Sequence, residues 1–271
     1  AHYADGVGLA ADLSGTLEVH FKEENSAGSA VKREWFALTS DALVAPEAGV
    51  LGSPDRGCTF RPRPTGPHAP EAPKARQLLD LELLGRLLGL ALLQQTTVGF
   101  RLHPSVCKLL LCNGEPWEWT HDDVRALDPQ LYQHKVDYVL NNDVAPLCLD
   151  FTDVLHDVQA GELGERDGGT AAYSEERIAL LPGGEDVVVT EQNKQQFVSL
   201  VCAWRLFGSI EAQTAAMCRG FQAAVPPATL TQLAALVTPE DLCTILAGEA
   251  VINVVDWEVN TQCAGGMRRK D

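Results

Sequence analysis

Residues 78–94 read LLDLELLGRLLGLALLQ, and this stretch decides the fold. Its apolar positions recur at helical intervals. Glu82, Gly85, Arg86 and Gly89 then fall on one stripe by the i, i+3, i+4, i+7 rule. Each glycine costs a helix about 1 kcal/mol relative to alanine. A stripe that keeps two of them predicts a place where a second backbone comes too close for side chains. Membrane helices use similar small-residue spacing. Here Asp80, Glu82 and Arg86 interrupt the run, and it is shorter than a bilayer requires, so no membrane span is expected.

Outward from this helix, the C-terminal half reads as mostly helical. Pro104 to Cys112 is a short helix. Thr120-His121-Asp122-Asp123 is a capping box, and Asp128-Pro129 is an N-cap with proline at the first helical position. They start helices of about 8 and 13 residues. From Thr190 onward helices dominate. Phe197, Leu200, Val201, Trp204 and Phe207 form one apolar face, and Gly208 ends that helix. Ser209 caps the next, which runs to about Ala224 before Pro226-Pro227. Thr238-Pro239-Glu240-Asp241 caps another that Gly248 closes. Trp204, Phe221 and Trp257 are expected in the core.

Short strands are expected at Leu17–Phe21, Leu147–Phe151, Arg177–Leu181 and 186–190, the last two around a Pro182-Gly183-Gly184 turn. Val31–Leu43 has helical spacing with Trp35, Leu38 and Ala42 on one face. Residues 161–169 form a polar, glycine-rich loop. Gly49 to Gln77 is rich in proline and glycine and reads either as a linker or as an excursion within one domain, with a possible strand at 58–61. The sum is an α+β pattern, mostly α, without βαβ alternation.

Composition narrows the function. The chain has 271 residues, 37 acidic against 21 basic side chains and a formal charge of -16. A nucleic-acid binder shows a basic footprint instead. Eight cysteines form no C-x-x-C pair, so neither a zinc ribbon nor a disulfide framework is indicated. A reducing compartment, cytosol or nucleus, is expected. Ala1 stands first with no leader after it, which suggests an N-terminus that continues upstream. The sequence has no G-x-S-x-G, H-E-x-x-H, Walker loop or G-x-G-x-x-G. His103 and Cys107 have helical spacing but read as ordinary helix residues. Arg33-Glu34 and Glu82-Arg86 read as structural ion pairs. No cofactor and no metal is expected, and the residues alone point to a binding or scaffold domain.

A set of motifs in order sharpens this reading. Arg33-Glu34-Trp35-Phe36 and Gly49-Val50-Leu51 precede the helix Gly85-Arg86-Leu87-Leu88-Gly89-Leu90-Ala91. Asp128-Pro129-Gln130-Leu131-Tyr132, Asn142-Asp143, Pro182-Gly183-Gly184 and Asn193-Lys194 follow. Gly220-Phe221, Val225-Pro226, Glu240-Asp241-Leu242, Asp256-Trp257, Asn260-Thr261 and Gly265-Gly266 complete the set. From about Leu17 to Gly266 the chain resembles the N-terminal lobe of a HECT-type ubiquitin-protein ligase.

The resemblance implies a bilobed-type α+β fold with a large helical subdomain and a small α/β subdomain. The lobe would cover residues 1–271, with residues 128–200 as the small subdomain inserted in the large one. It makes the proline-rich stretch an excursion within the lobe. Such enzymes are acyltransferases that take ubiquitin from a conjugating enzyme as a cysteine thioester and pass it to a substrate lysine. The cysteine lies on a C-terminal lobe between Thr and Phe. No Thr-Cys-Phe occurs here, and Cys263 reads as structural. The expectation is that the thioester cysteine lies beyond Asp271, so that the chain alone is inactive. A naturally truncated module that sequesters a conjugating enzyme is the alternative.

The expected partners are a ubiquitin-conjugating enzyme, ubiquitin and, through regions outside the chain, a protein substrate. Nucleic acid and membrane are not expected partners. By resemblance the conjugating enzyme docks on Leu131, Lys135, Leu147, Leu149, Phe197 and Val201, although Phe197 and Val201 at i, i+4 equally suit a core-facing helix. Two departures from the family's pattern bear on this. Leu131 to Asn142 is one residue longer than in many members, and Lys135 stands where an apolar residue is common. Ser29-Ala30 also replaces a frequent glycine pair. The acidic charge would suit a basic face on the conjugating enzyme.

Overall fold

The computed structural model describes residues 17–22, 28–66, 69–155 and 176–249. The expected loop at 161–169, Trp257 and Cys263 lie outside them. Leu17–Phe21 forms no strand among the described residues; the Leu17 N–H donates to Gln94 Oε1 (3.4 Å). Helix α1 (Ser29–Val44) follows Gly28, whose φ of 111° suits glycine. It buries Val31, Phe36, Ser40 and Leu43. The expected face of Trp35, Leu38 and Ala42 is corrected by this, since Leu38 is 54% exposed. Apolar residues lie on both sides of α1, and periodicity does not say which side meets the core. Arg33 and Glu34 are exposed there and form no ion pair with each other.

The proline-rich stretch folds back as strands β1 (Leu51–Gly52) and β2 (Arg61–Pro62), which pair antiparallel. Phe60 N–H donates to the Arg101 carbonyl and its own carbonyl accepts from His103 N–H, both at 2.8 Å. These bonds tie the excursion to the helical core.

Helix α2 (Glu71–Leu93) begins seven residues before the expected Leu78. Pro73 falls in its first turn, where no intrahelical N–H is needed, so proline does not delay the start. Helix α3 (Pro104–Leu111) follows. Helix α4 (His121–Leu127) is started by the Thr120–Asp123 capping box, present in both directions. The Asp128-Pro129 start opens α5 (Pro129–Leu131), which continues through a π turn (Tyr132–Asp137) into α6 (Tyr138–Asn141).

The strand expected at 147–151 is replaced by a tight turn over Ala145–Leu147 and a left-handed Cys148 (φ 47°). Pro146 lacks an N–H for a ladder. Apart from a single bridge at Asp150, the ladder comes afterwards, as β3 (Thr152–Leu155) pairs antiparallel with β4 (Glu176–Ala179). The strand expected at 186–190 reduces to one bridge, Val188 to Asp150.

Helix α7 (Lys194–Leu206) ends at Phe207–Gly208 as expected. Ser209 lies in a tight turn (Gly208–Ile210) and caps nothing; α8 (Glu211–Ala224) starts without a side-chain cap. Helices α9 (Pro227–Ala234) and α10 (Pro239–Ala247) complete the order, with the Thr238 capping box in place.

Two apolar clusters result. The larger joins α1, α2, α3, α8 and α10 around Phe36, Leu84, Leu88 and Phe221. Its centre is the α2–α8 crossing. A methyl on Gly85 would overlap the Met217 carbonyl, and one on Gly220 would overlap the Glu82 carbonyl. This is the backbone approach that the glycine stripe predicts. Glu82 and Arg86 pair beside it at 2.7 Å. The buried members of the smaller cluster run from Val124 to Leu206, around Phe151, Phe197 and Val201. Together they make an α+β fold, mostly α.

Candidate functional site

Asp128 Oδ1 accepts from the Leu131 N–H (2.9 Å) and fixes the first turn of α5. The π turn that follows bonds i to i+5 and holds about one residue more than an α turn. It carries the chain from α5 into α6, which ends at Asn141. At the far end Lys194 Nζ donates to the Asn142 carbonyl (3.1 Å), and Glu191 Oε1 accepts from the Val144 N–H (3.0 Å). Both contacts pin the 142–149 loop against the start of α7.

Between this pinned loop and the π-bulged helix lies a groove of about 760 Å³. Leu131, Lys135, Leu147 and Leu149 all line it, so four of the six residues expected from sequence come together. The other two do not reach it: Phe197 and Val201 are 0% exposed. Phe197 packs edge-to-face on Phe151 at 5.6 Å, beneath the groove rather than in it. Residues that the sequence reading missed also line the groove: Gln130, His134 and Tyr138. Tyr138 is 46% exposed and brings a phenol ring to the lining. The signal was available, since Leu131, Lys135 and Tyr138 stand at i, i+4 and i+7.

Lys135 is the apparent misfit in an apolar groove, and its partners explain it. Its ammonium turns inward to Asp153 Oδ1 (2.6 Å) and lies 5.7 Å from the centre of the Phe197 ring. Asp153 is buried and also accepts from Arg205 through Nε (2.6 Å) and Nη2 (3.2 Å). Arg205 Nη2 donates further to the Val154 carbonyl (3.1 Å). Burial pushes the Asp153 carboxyl up, but its bonds to Arg205 and the charges of Arg205 and Lys135 outweigh burial and hold it below its ordinary value. The lysine charge is therefore spent within the fold. The groove lining combines the aliphatic side chains of Leu131, Val139, Leu147 and Leu149 with the Tyr138 ring and the polar Gln130 and His134.

Cys202, behind the groove, has its thiol pushed up to about 12, first by burial and then by Asp153. His103 caps α3, its Nδ1 accepting from the Ser105 N–H (3.2 Å). Cys107 turns away to Cys243, with sulfurs 2.8 Å apart. Among the described residues no group of three or more His, Cys, Asp or Glu is placed to hold a metal ion, and no helix is long and apolar enough to cross a membrane.

A family model, the HECT-domain (ubiquitin-transferase), matches residues 37–271. The chain belongs to the HECT-domain family. Among HECT relatives, E3 ubiquitin-protein ligase HACE1 of Homo sapiens is 30% identical over 261 residues, 96% of this chain. HACE1 of Danio rerio is 30% identical over 250 residues, 92% of this chain. E3 ubiquitin-protein ligase TOM1 of Saccharomyces cerevisiae is 29% identical over 248 residues, which is 90% of this chain and 7% of TOM1. The chain spans about a quarter of the length of the HACE1 proteins, 26% for the human one.

Proposed function

We propose that this chain is the conjugating-enzyme-binding lobe of a HECT-type ubiquitin ligase, and that the groove between the π-bulged helix and the 142–149 loop is the docking point. The groove itself carries the proposal: Leu131, Leu147 and Leu149 border it with Tyr138, over a floor held by Phe197 and the Lys135–Asp153–Arg205 cluster. In this reading Phe197 and Val201 act by shaping the floor, and Lys135 by neutralising Asp153. The larger unit accepts ubiquitin from the docked enzyme and passes it to substrate lysines. Substrate contacts lie in regions outside this chain.

Aromatic anchors at the centre of an interface typically contribute about 2 kcal/mol or more. Tyr138→Ala is therefore expected to weaken binding of a conjugating enzyme by at least about tenfold in calorimetry. The half-exposed ring supports no core, so thermal stability should change little. Unchanged affinity across a panel of conjugating enzymes that bind the parent chain would remove Tyr138 from the site.

We further propose that the lobe alone forms no ubiquitin thioester, because the sequence lacks the Thr-Cys-Phe segment that carries the thioester cysteine in the family it resembles. Mixing with a charged conjugating enzyme should give no adduct that a reductant removes. An adduct lost in one Cys→Ala variant would contradict this.

A further inference from the structure

Next to the groove, and sharing Asp128, Gln130 and Arg205 with it, the β1–β2 hairpin faces the end of α7 across a cavity of about 660 Å³. Arg56, Arg61 and Arg63 line it from the hairpin and Arg205 from α7. In a chain of net charge -16 this is a local reversal of sign. Most of the charge around the cavity is accounted for. Arg205 is paired with Asp153. Asp55 accepts from Ser53 Oγ (3.0 Å) and from both the N–H and the hydroxyl of Thr59 (2.7 Å each). Asp128 caps the Leu131 N–H.

Arg61 is the buried exception. It is only 8% exposed. Its Nη2 donates to the Arg205 carbonyl (3.0 Å), while Nε has no hydrogen-bond partner among the described residues. None of their carboxylates forms an ion pair with it. Its pKa is lowered to about 10, first by burial and then by the neighbouring Arg205 charge. A buried, uncompensated charge costs several kcal/mol, and the usual remedy is an opposite charge brought against it. A guanidinium fork matches the planar or trigonal face of an oxyanion, and arginine is the common residue for binding phosphate.

We propose that this cavity binds a small phosphorylated molecule, with Arg61 as the principal contact at its floor and Arg56 at its exposed rim. The volume suits a ligand of that class. Arg61 then trades fold stability for recognition of the anion.

The test is calorimetric titration of the full chain with inorganic pyrophosphate at fixed ionic strength, with citrate and sodium chloride as controls. Saturable one-to-one binding of pyrophosphate is expected, with neither control reproducing it. Arg61→Met should weaken it by about thirtyfold, the loss expected for charge-assisted bonds. The same variant should melt no lower than the parent when free of ligand, because an apolar replacement removes an unpaired buried charge. Arg56→Ala should weaken binding by a few fold without changing the melting temperature. Absence of saturable binding overturns the proposal, as does equal affinity in Arg61→Met. A sharp drop in its melting temperature would make Arg61 a structural arginine, and equal binding of citrate would overturn the assignment to phosphate.

Discussion

Replacing Asp153 with asparagine should lower the stability of the chain by about 3–5 kcal/mol, the range for breaking a buried ion pair by removing one partner. The substitution keeps the shape and deletes the charge. Lys135 and Arg205, whose side chains are 26% and 15% exposed, then face each other with no anion between them. A typical domain holds only 5–15 kcal/mol in total, so the loss should be plain in urea unfolding followed by tryptophan fluorescence. The pH dependence follows from the same contacts. The folded pKa of Asp153 lies below its ordinary value of 3.8. Its contribution is therefore fully present above that value and is lost as the pH falls through the folded pKa. The stability gap between parent and Asp153→Asn should be constant near neutrality and shrink below about pH 4, since a protonated parent has also lost the charge. A gap under about 1 kcal/mol at neutral pH would mean that solvent already screens Lys135 and Arg205.

The second large effect is expected at the helix crossing. On propensity alone, Gly85→Ala should stabilise α2 by about 1 kcal/mol. In the fold the added methyl meets the Met217 carbonyl and the Phe221 N–H, which are backbone and cannot rotate away. Overpacking of this kind typically costs about 1–3 kcal/mol and occasionally more. Rigid backbone on the opposing side places this site at the upper end, so a net loss of about 2–3 kcal/mol is expected. Gly220→Ala should behave alike through the Glu82 carbonyl. The double variant should lose less than the sum, because a crossing already forced apart accommodates the second methyl more easily. Thermal denaturation of the three variants checks this. A stabilised Gly85→Ala would show that the helices do not touch at these glycines.

What the sequence disclosed depended on how local each cause was. The Thr120 and Thr238 capping boxes and the Asp128-Pro129 start need only neighbouring residues, and all three are present. The Gly85–Gly89 stripe pointed to a close partner without saying which; Gly220 lies 135 positions beyond Gly85. Strand pairing was the weakest point. Alternation at 147–151 imitated a strand, while the true ladder at 152–155 finds its partner at 176–179 across a long connection. The face of α1 was misjudged because both sides carry apolar residues. In the groove, Leu131, Leu147 and Leu149 followed from resemblance. Phe197 and Val201 at i, i+4 were equally compatible with core and surface, and burial is a property of the whole fold. The ionic partner of Lys135 left no legible trace, since Asp153 lies 18 positions away on another element.

The central claim is that the groove receives a conjugating enzyme. Methyl NMR of the leucine-labelled chain, titrated with a conjugating enzyme that calorimetry shows to bind, tests this most directly. The account predicts that the Leu131, Leu147 and Leu149 methyls shift most and together, while the Leu84 and Leu88 methyls at the α2–α8 crossing stay in place. Saturable binding that leaves these three groove leucines unmoved would contradict it.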